Sequence, residues 1–299
     1  MQVFSKQTDK PQATPFLTPS QDPTKYLPFD PIEWSISSDG KTWASDFDQP
    51  DLVGAYCYLH SPVPIIETNN LEKLGINDGQ RLNSTSYELR TFTMNIWFVG
   101  MNEADMYLAY DALQRFMVSR DPFWICFSDW PQRMYYVKAA VAQPTYLSDK
   151  GWTAVITLTD LYGMSRSVGT TLDHVMGFGN NERTKQLPYS FTSNDFVVHN
   201  GSDVRIDPER RSHPLTITLD GSSSGNMKIT NKTTGDSISR PEKWSGTWVL
   251  DGVNPMLNKN NDGINTDHGI ITLQKGDNSF YIDNFSGKVT FDFPLWWLS

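Results

Sequence analysis

The sequence predicts a mainly β protein of two domains, the first an α+β domain with one helix. Three observations carry that prediction. The chain has 299 residues, and a single hydrophobic core stops growing at roughly 250–300 residues, so two domains are expected. Apolar residues make up only 38% of the chain, yet aromatic residues reach 13%. Large rings therefore supply much of the core, which suits packed sheets better than helix bundles. Finally, period-2 alternation recurs along the chain, whereas helical spacing occurs in one segment only.

Charge narrows the function classes. The net charge is −9, from 25 Lys and Arg against 34 Asp and Glu, and the isoelectric point is near 5.0. The basic footprint that drives nucleic-acid binding is missing. The densest basic spot, Arg205, Arg210 and Arg211, is diluted by Asp203, Asp207 and Glu209 and reads as a solvated loop. No run approaches the ~18 apolar residues of a membrane span, and the polar start, Met1 to Lys10, reads as no signal peptide. Cys57 and Cys126 match no metal or redox spacing; with Tyr56, Tyr58, Ile125 and Phe127 beside them, they read as buried free thiols compatible with a reducing compartment.

Residues 1–31 are polar and punctuated by six prolines, too poor in apolar surface to fold alone. They are expected to form a flexible arm or a strap laid across a partner. Trp34 to Trp43 reads as a hairpin around Asp39-Gly40. From Tyr87 to Val99, Phe92, Met94, Ile96 and Phe98 fall on one face, with Thr91, Thr93, Asn95 and Trp97 on the other. A helix is predicted over 102–120. Asn102 caps it, Glu103 and Asp105 complement its positive end, and Met106, Ala109, Tyr110, Leu113, Phe116 and Met117 form its apolar stripe. Tyr135, Val137 and Ala139 alternate, and after a turn at 148–151 so do Trp152, Ala154, Ile156 and Leu158.

Residues 32–165 are thus read as the first domain and 166–188, glycine-rich and without period, as a linker. Residues 189–299 alternate short apolar stretches with turn signals and read as an antiparallel sandwich.

The chemistry search yields little. His60, His174, His199, His213 and His268 are scattered without metal-ligand spacing. Gly177-Phe-Gly179 is a lone fragment of a phosphate loop. Asn258, Asn260 and Asp262-Gly263 imitate the start of a calcium loop, but Gly269 stands where the bidentate glutamate belongs, so a structural turn is expected. No acid pair stands out for glycoside hydrolysis. Trp244, Trp248, Trp296 and Trp297 are available to stack on sugar rings; strand alternation of Trp296-Trp297 predicts that one of them faces outward. No catalytic, cofactor-binding or metal-binding residue is nominated, and no cofactor or enzymatic activity is expected.

The order of elements resembles the siphophage distal tail (Dit) protein family. The resemblance is carried by Gly75 to Val99, with its Gly turn and Tyr87-x-x-Arg90 strand leading into the capped helix. It continues in Tyr189 to Gly201, Met227 to Gly235, the Val249-Leu-Asp-Gly252 turn, and Leu273 to Asn278 before the closing aromatic strand. It covers about residues 50–299; the hairpin at Trp34–Trp43 and the arm before it have no counterpart. The resemblance implies a structural protein of the virion tail tip, assembled in the bacterial cytoplasm. Its N-terminal β-sandwich-like domain would close into a homohexameric ring and its C-terminal domain would be a galectin-like sandwich. The implied partners are the tail tube protein, the tail-associated hub protein and receptor-binding or baseplate proteins. Viral DNA would pass through without specific binding, and no membrane is involved. The competing reading is a carbohydrate-binding protein that recognises host cell-wall polysaccharide through the C-terminal sandwich.

Overall fold

A computed structural model describes residues 2–14, 22, 24–76, 78–173 and 187–298. The chain forms two compact units, Met1–Ser165 with Leu298–Ser299, and Arg166–Trp297.

The first unit opens with two short strands, β1 (Gln12–Ala13) and β2 (Tyr26–Leu27), paired in parallel. Next come β3 (Trp34–Ser37), β4 (Ala44–Ser45) and β5 (Ala55–His60). A separate hairpin follows, made of β6 (Glu67–Glu72) and β7 (Arg81–Tyr87), and leads into β8 (Arg90–Val99). After the helix α1 (Glu103–Met117) the chain adds β9 (Phe123–Phe127), β10 (Arg133–Val141), β11 (Thr145–Tyr146) and β12 (Gly151–Asp160). The main sheet runs β4-β3-β9-β10-β12-β8-β5, with β11 also on β12. Its pairs are antiparallel.

The alternation predicted for β8 is present: Phe92, Met94, Ile96 and Phe98 are buried and the residues between them are not. Facing them in register on β12 stand Leu158, Ile156, Ala154 and Trp152. The helix lies against this apolar face with Met106, Ala109, Leu113 and Met117 buried in the same core. Trp152 fixes it in place. Its ring stacks on Phe98 at 5.0 Å and its Nε1 donates to the Met106 carbonyl at 3.1 Å, so the buried indole keeps its hydrogen bond.

Two expectations for this unit are corrected. The helix ends at Met117, not 120, because Val118 turns to extended backbone (φ −95°, ψ 115°) and the carbonyls of Ser119 and Arg120 accept from Lys138 Nζ instead. The arm is also tied to its own unit along its described length. The Ser5 amide donates to Glu33 Oε1 at 2.6 Å, Lys10 Nζ pairs with Glu33 Oε2 at 2.7 Å, and Phe29 packs edge-on against Trp97. Residues 15–21 and 23 lie outside the described residues.

The second unit begins within β13 (Ser165–Ser167). Residues 166–173 belong to the sandwich and are no free linker: Ser167 N donates to the Leu295 carbonyl at 2.8 Å and Thr171 N to the Phe293 carbonyl at 2.9 Å. The rest of the expected linker, 174–186, together with His174 and Gly177-Phe-Gly179, lies outside the described residues.

The following strands are β14 (Ser190–Phe191), β15 (Asp195–Asn200), β16 (Thr216–Ser223), β17 (Met227–Asn231) and β18 (Ser237–Arg240). The chain closes with β19 (Trp244–Asp251), β20 (Asn254–Leu257), β21 (Asn260–Asn261), β22 (Gly276–Asp283), β23 (Ser286–Asp292) and β24 (Trp296–Trp297). They build one sheet in the order β14-β23-β16-β19-β20-β21 and another in the order β15-β22-β17-β18. Phe196 and Phe280 of the smaller sheet meet Phe291 of the larger at 5.9 and 4.8 Å, which places an aromatic seam between the two layers. The protein is mainly β with one α-helix among the described residues.

Candidate functional site

The residues examined for chemistry are absorbed by structure. In the calcium-like loop, Asn258 and Lys259 both adopt positive φ (49° and 70°) and form the two-residue turn joining β20 to β21, the geometry of a tight hairpin. Asp262 is buried and its carboxylate is taken: Arg240 Nε donates at 2.6 Å, Trp248 Nε1 at 3.0 Å and Asn265 Nδ2 at 2.7 Å. Burial opposes its charge, but these donors hold it below the ordinary carboxylate range. No group of three potential metal ligands occurs among the described residues.

The tryptophans named for sugar stacking are all buried: Trp244, Trp248, Trp296 and Trp297. Neither Trp296 nor Trp297 faces outward as expected, because both faces of the short β24 are covered; Trp296 lies 5.1 Å from His213. The second unit thus offers no exposed tryptophan platform among its described residues. Arg205, read as part of a solvated loop, is half engaged: its guanidinium reaches Thr272 Oγ1 and Asp236.

The histidines serve as local clasps. His60 Nε2 meets Asp129 at 2.7 Å while its ring stacks on Phe127. His199 meets Asp277 at 2.6 Å. Burial lowers His213, whose Nδ1 sits 3.1 Å from the Arg205 carbonyl. Cys57 and Cys126 are free and buried, as read from the sequence; burial pushes the Cys57 thiol up to about 12 and Cys126 higher still.

The first unit also exposes apolar surface in two places. Every residue of β6 and the first four of β7 are exposed. Leu71 and Leu82 oppose each other across the hairpin, both in solvent, and Ile76 beyond them is 100% exposed. At the far end of β8 a groove of about 460 Å³ opens between α1 and the turn at Pro50–Leu52. Val53, Met101 and Leu108 stand exposed along it, and Asp22, Asp51 and Asp105 border it. Sequence reading missed both features: the hairpin buries neither face, so it carries no alternation, and the groove is assembled from separate segments.

Comparison with known proteins gives this geometry a class. Residues 57–159, which hold α1 and the strands β8, β9, β10 and β12, match the family model of the phage tail protein RIFT-related domain. The fold of the chain is similar to that of a distal tail protein. It is similar to the crystal structure of Dit from phage SPP1, described as a paradigm of the hub adsorption apparatus in phages infecting Gram-positive hosts. That match has a TM-score of 0.59 and 13% identity, and covers 88% of this chain and 99% of the other. A chain of the phage P2 baseplate in its activated, calcium-bound conformation is similar at a TM-score of 0.44 and 11% identity, over 88% of this chain and 98% of that one. No curated protein sequence matches the chain. The resemblance read from the sequence is therefore found twice, in the sequence of residues 57–159 and in the fold of most of the chain.

Proposed function

We propose that this protein is a non-enzymatic distal tail protein. It forms a homohexameric ring at the phage tail tip, joins the tail tube to the hub, and carries baseplate or receptor-binding proteins. The observation that carries the reading is the phage tail domain at residues 57–159, set in a unit that leaves an apolar hairpin and an apolar groove in solvent. Surface of that kind marks sites of association. The engagement of the histidines and of Asp262 within the fold supports a structural role over a catalytic one. Sugar recognition by the second unit has no exposed tryptophan to rest on.

Antibody against this chain, applied to virions and imaged by electron microscopy, tests the placement. Label confined to the tail tip is expected. Label on the capsid, or virions that lack the chain altogether, would overturn the reading.

A further inference from the structure

We propose that residues 2–14 form a proton-dependent strap, docked on the first unit while Asp46 carries a proton and released when Asp46 ionises. The device is independent of the ring reading. The strap grips one turn and the strand beside it. The Ser5 amide donates to Glu33 Oε1 at 2.6 Å and Lys10 Nζ reaches Glu33 Oε2 at 2.7 Å. Ser5 Oγ donates to Asp48 Oδ1, and Gln7 Nε2 to the Phe47 carbonyl at 2.9 Å. Phe47 and Asp48 belong to the 3-10 turn Asp46–Asp48. Ser45 caps that turn, its hydroxyl accepting from the Phe47 amide and donating to Glu33 Oε1. Turn and Glu33 thus make one docking site, with Asp46 at its centre.

Asp46 does not fit that site as an anion. It is only 3% exposed, as is Glu33. Its Oδ1 accepts from the Trp34 amide at 3.0 Å, but its buried Oδ2 has no partner among the described residues. Glu33, Asp46 and Asp48 are three acids at one corner, and Lys10 is the one cation paired with any of them among the described residues. A buried carboxyl without a countercharge keeps its proton. Burial accordingly pushes Asp46 well above the usual carboxylate range and the charge of Glu33 adds to this, against the pull of the Trp34 and Phe47 amides. Tyr56 and Cys57 of β5 also feel Asp46; burial raises both, Cys57 to about 12, and neither supplies a positive charge.

Ionised Asp46 would stand as an uncompensated anion beside Glu33, and the turn relieves that only by moving toward water. Such a movement carries away Phe47 and Asp48, the partners of Gln7 and Ser5. A carboxyl raised on docking stabilises the docked form below its ordinary 3.8 and loses that contribution as pH rises through the raised value. With one proton linked, the docking constant falls about tenfold per pH unit beyond that point.

Hydrogen exchange of the full chain, read by mass spectrometry as protection factors over a rising pH series, tests the strap. Peptides from residues 2–14 report docking, and β8 reports global unfolding. Protection of the strap is expected to fall about tenfold per pH unit past the transition while β8 keeps its own. Asp46→Asn, which retains an oxygen for the Trp34 amide but cannot ionise, is expected to stay docked throughout. Lys10→Arg, whose cation does not titrate, is expected to release as the native chain does. Strap protection independent of pH in the native chain, or lost only together with that of β8, would overturn the proposal. So would release of Asp46→Asn at the native pH, or a Lys10→Arg strap that never releases, which assigns the proton to Lys10.

Discussion

His60 illustrates how single residues hold this fold. Burial disfavours its charged form, but the hydrogen bond and negative charge of Asp129 outweigh that, and the net effect raises it above the ordinary 6.5. A group raised on folding stabilises the native state fully below its unfolded value and loses that contribution as pH rises through the folded one. Thermal melts of the protein and of His60→Gln should therefore differ most below the ordinary 6.5, with the difference shrinking as pH rises through the raised value. A difference that grows with pH would contradict the assignment. Arg90 and Asp160 form the more deeply buried pair, both without solvent exposure and 2.8 Å apart, with Arg90 also donating to the Leu298 carbonyl. Burial pushes the Asp160 carboxyl up while Arg90 pulls it back. Their pairing could not be read from the sequence, because they stand 70 residues apart and only the register of β8 with β12 joins them.

At the scale of elements, the second unit turns on a row of glycines. Gly221 of β16 lies between Gly246 of β19 and Gly287 of β23. The strands approach so closely there that a Cβ on Gly221 would fall 2.2 Å from the Ser286 carbonyl oxygen and 2.8 Å from the Gly287 Cα. Backbone must shift to admit even a methyl group, and overpacking of that kind costs about 1–3 kcal/mol. Gly221→Ala should lower the urea midpoint accordingly without changing the slope of the transition; an unchanged midpoint would show that the sheet can relax. In the sequence this glycine sits in a Ser-Gly run that reads only as a turn, since its neighbours in the row lie on other strands. Alternation and capping were legible wherever one face is buried, as in β8, β12 and the start of α1. The end of α1 was not, because it is set by Lys138 reaching across from β10. Trp296 and Trp297 follow the same pattern: alternation gives their opposite directions, but only the tertiary fold covers both sides.

At the scale of the molecule, both units have buried aromatic cores, and the first leaves an apolar hairpin and an apolar groove uncovered. The sequence announced the order of elements and the missing chemistry, but not these surfaces. Exposed apolar groups leave no period, and a groove made of residues from 22 to 115 exists only after folding. An assembly that covers them accounts for their presence, and a monomer would carry them at a cost in solubility. The central claim is the ring, and the most direct test is the absolute mass of the purified protein by light scattering, alone and with the tail tube protein. A mass of about six times 34.0 kDa is predicted. A stable 34.0 kDa particle at every concentration, unchanged by the tube protein, would contradict it.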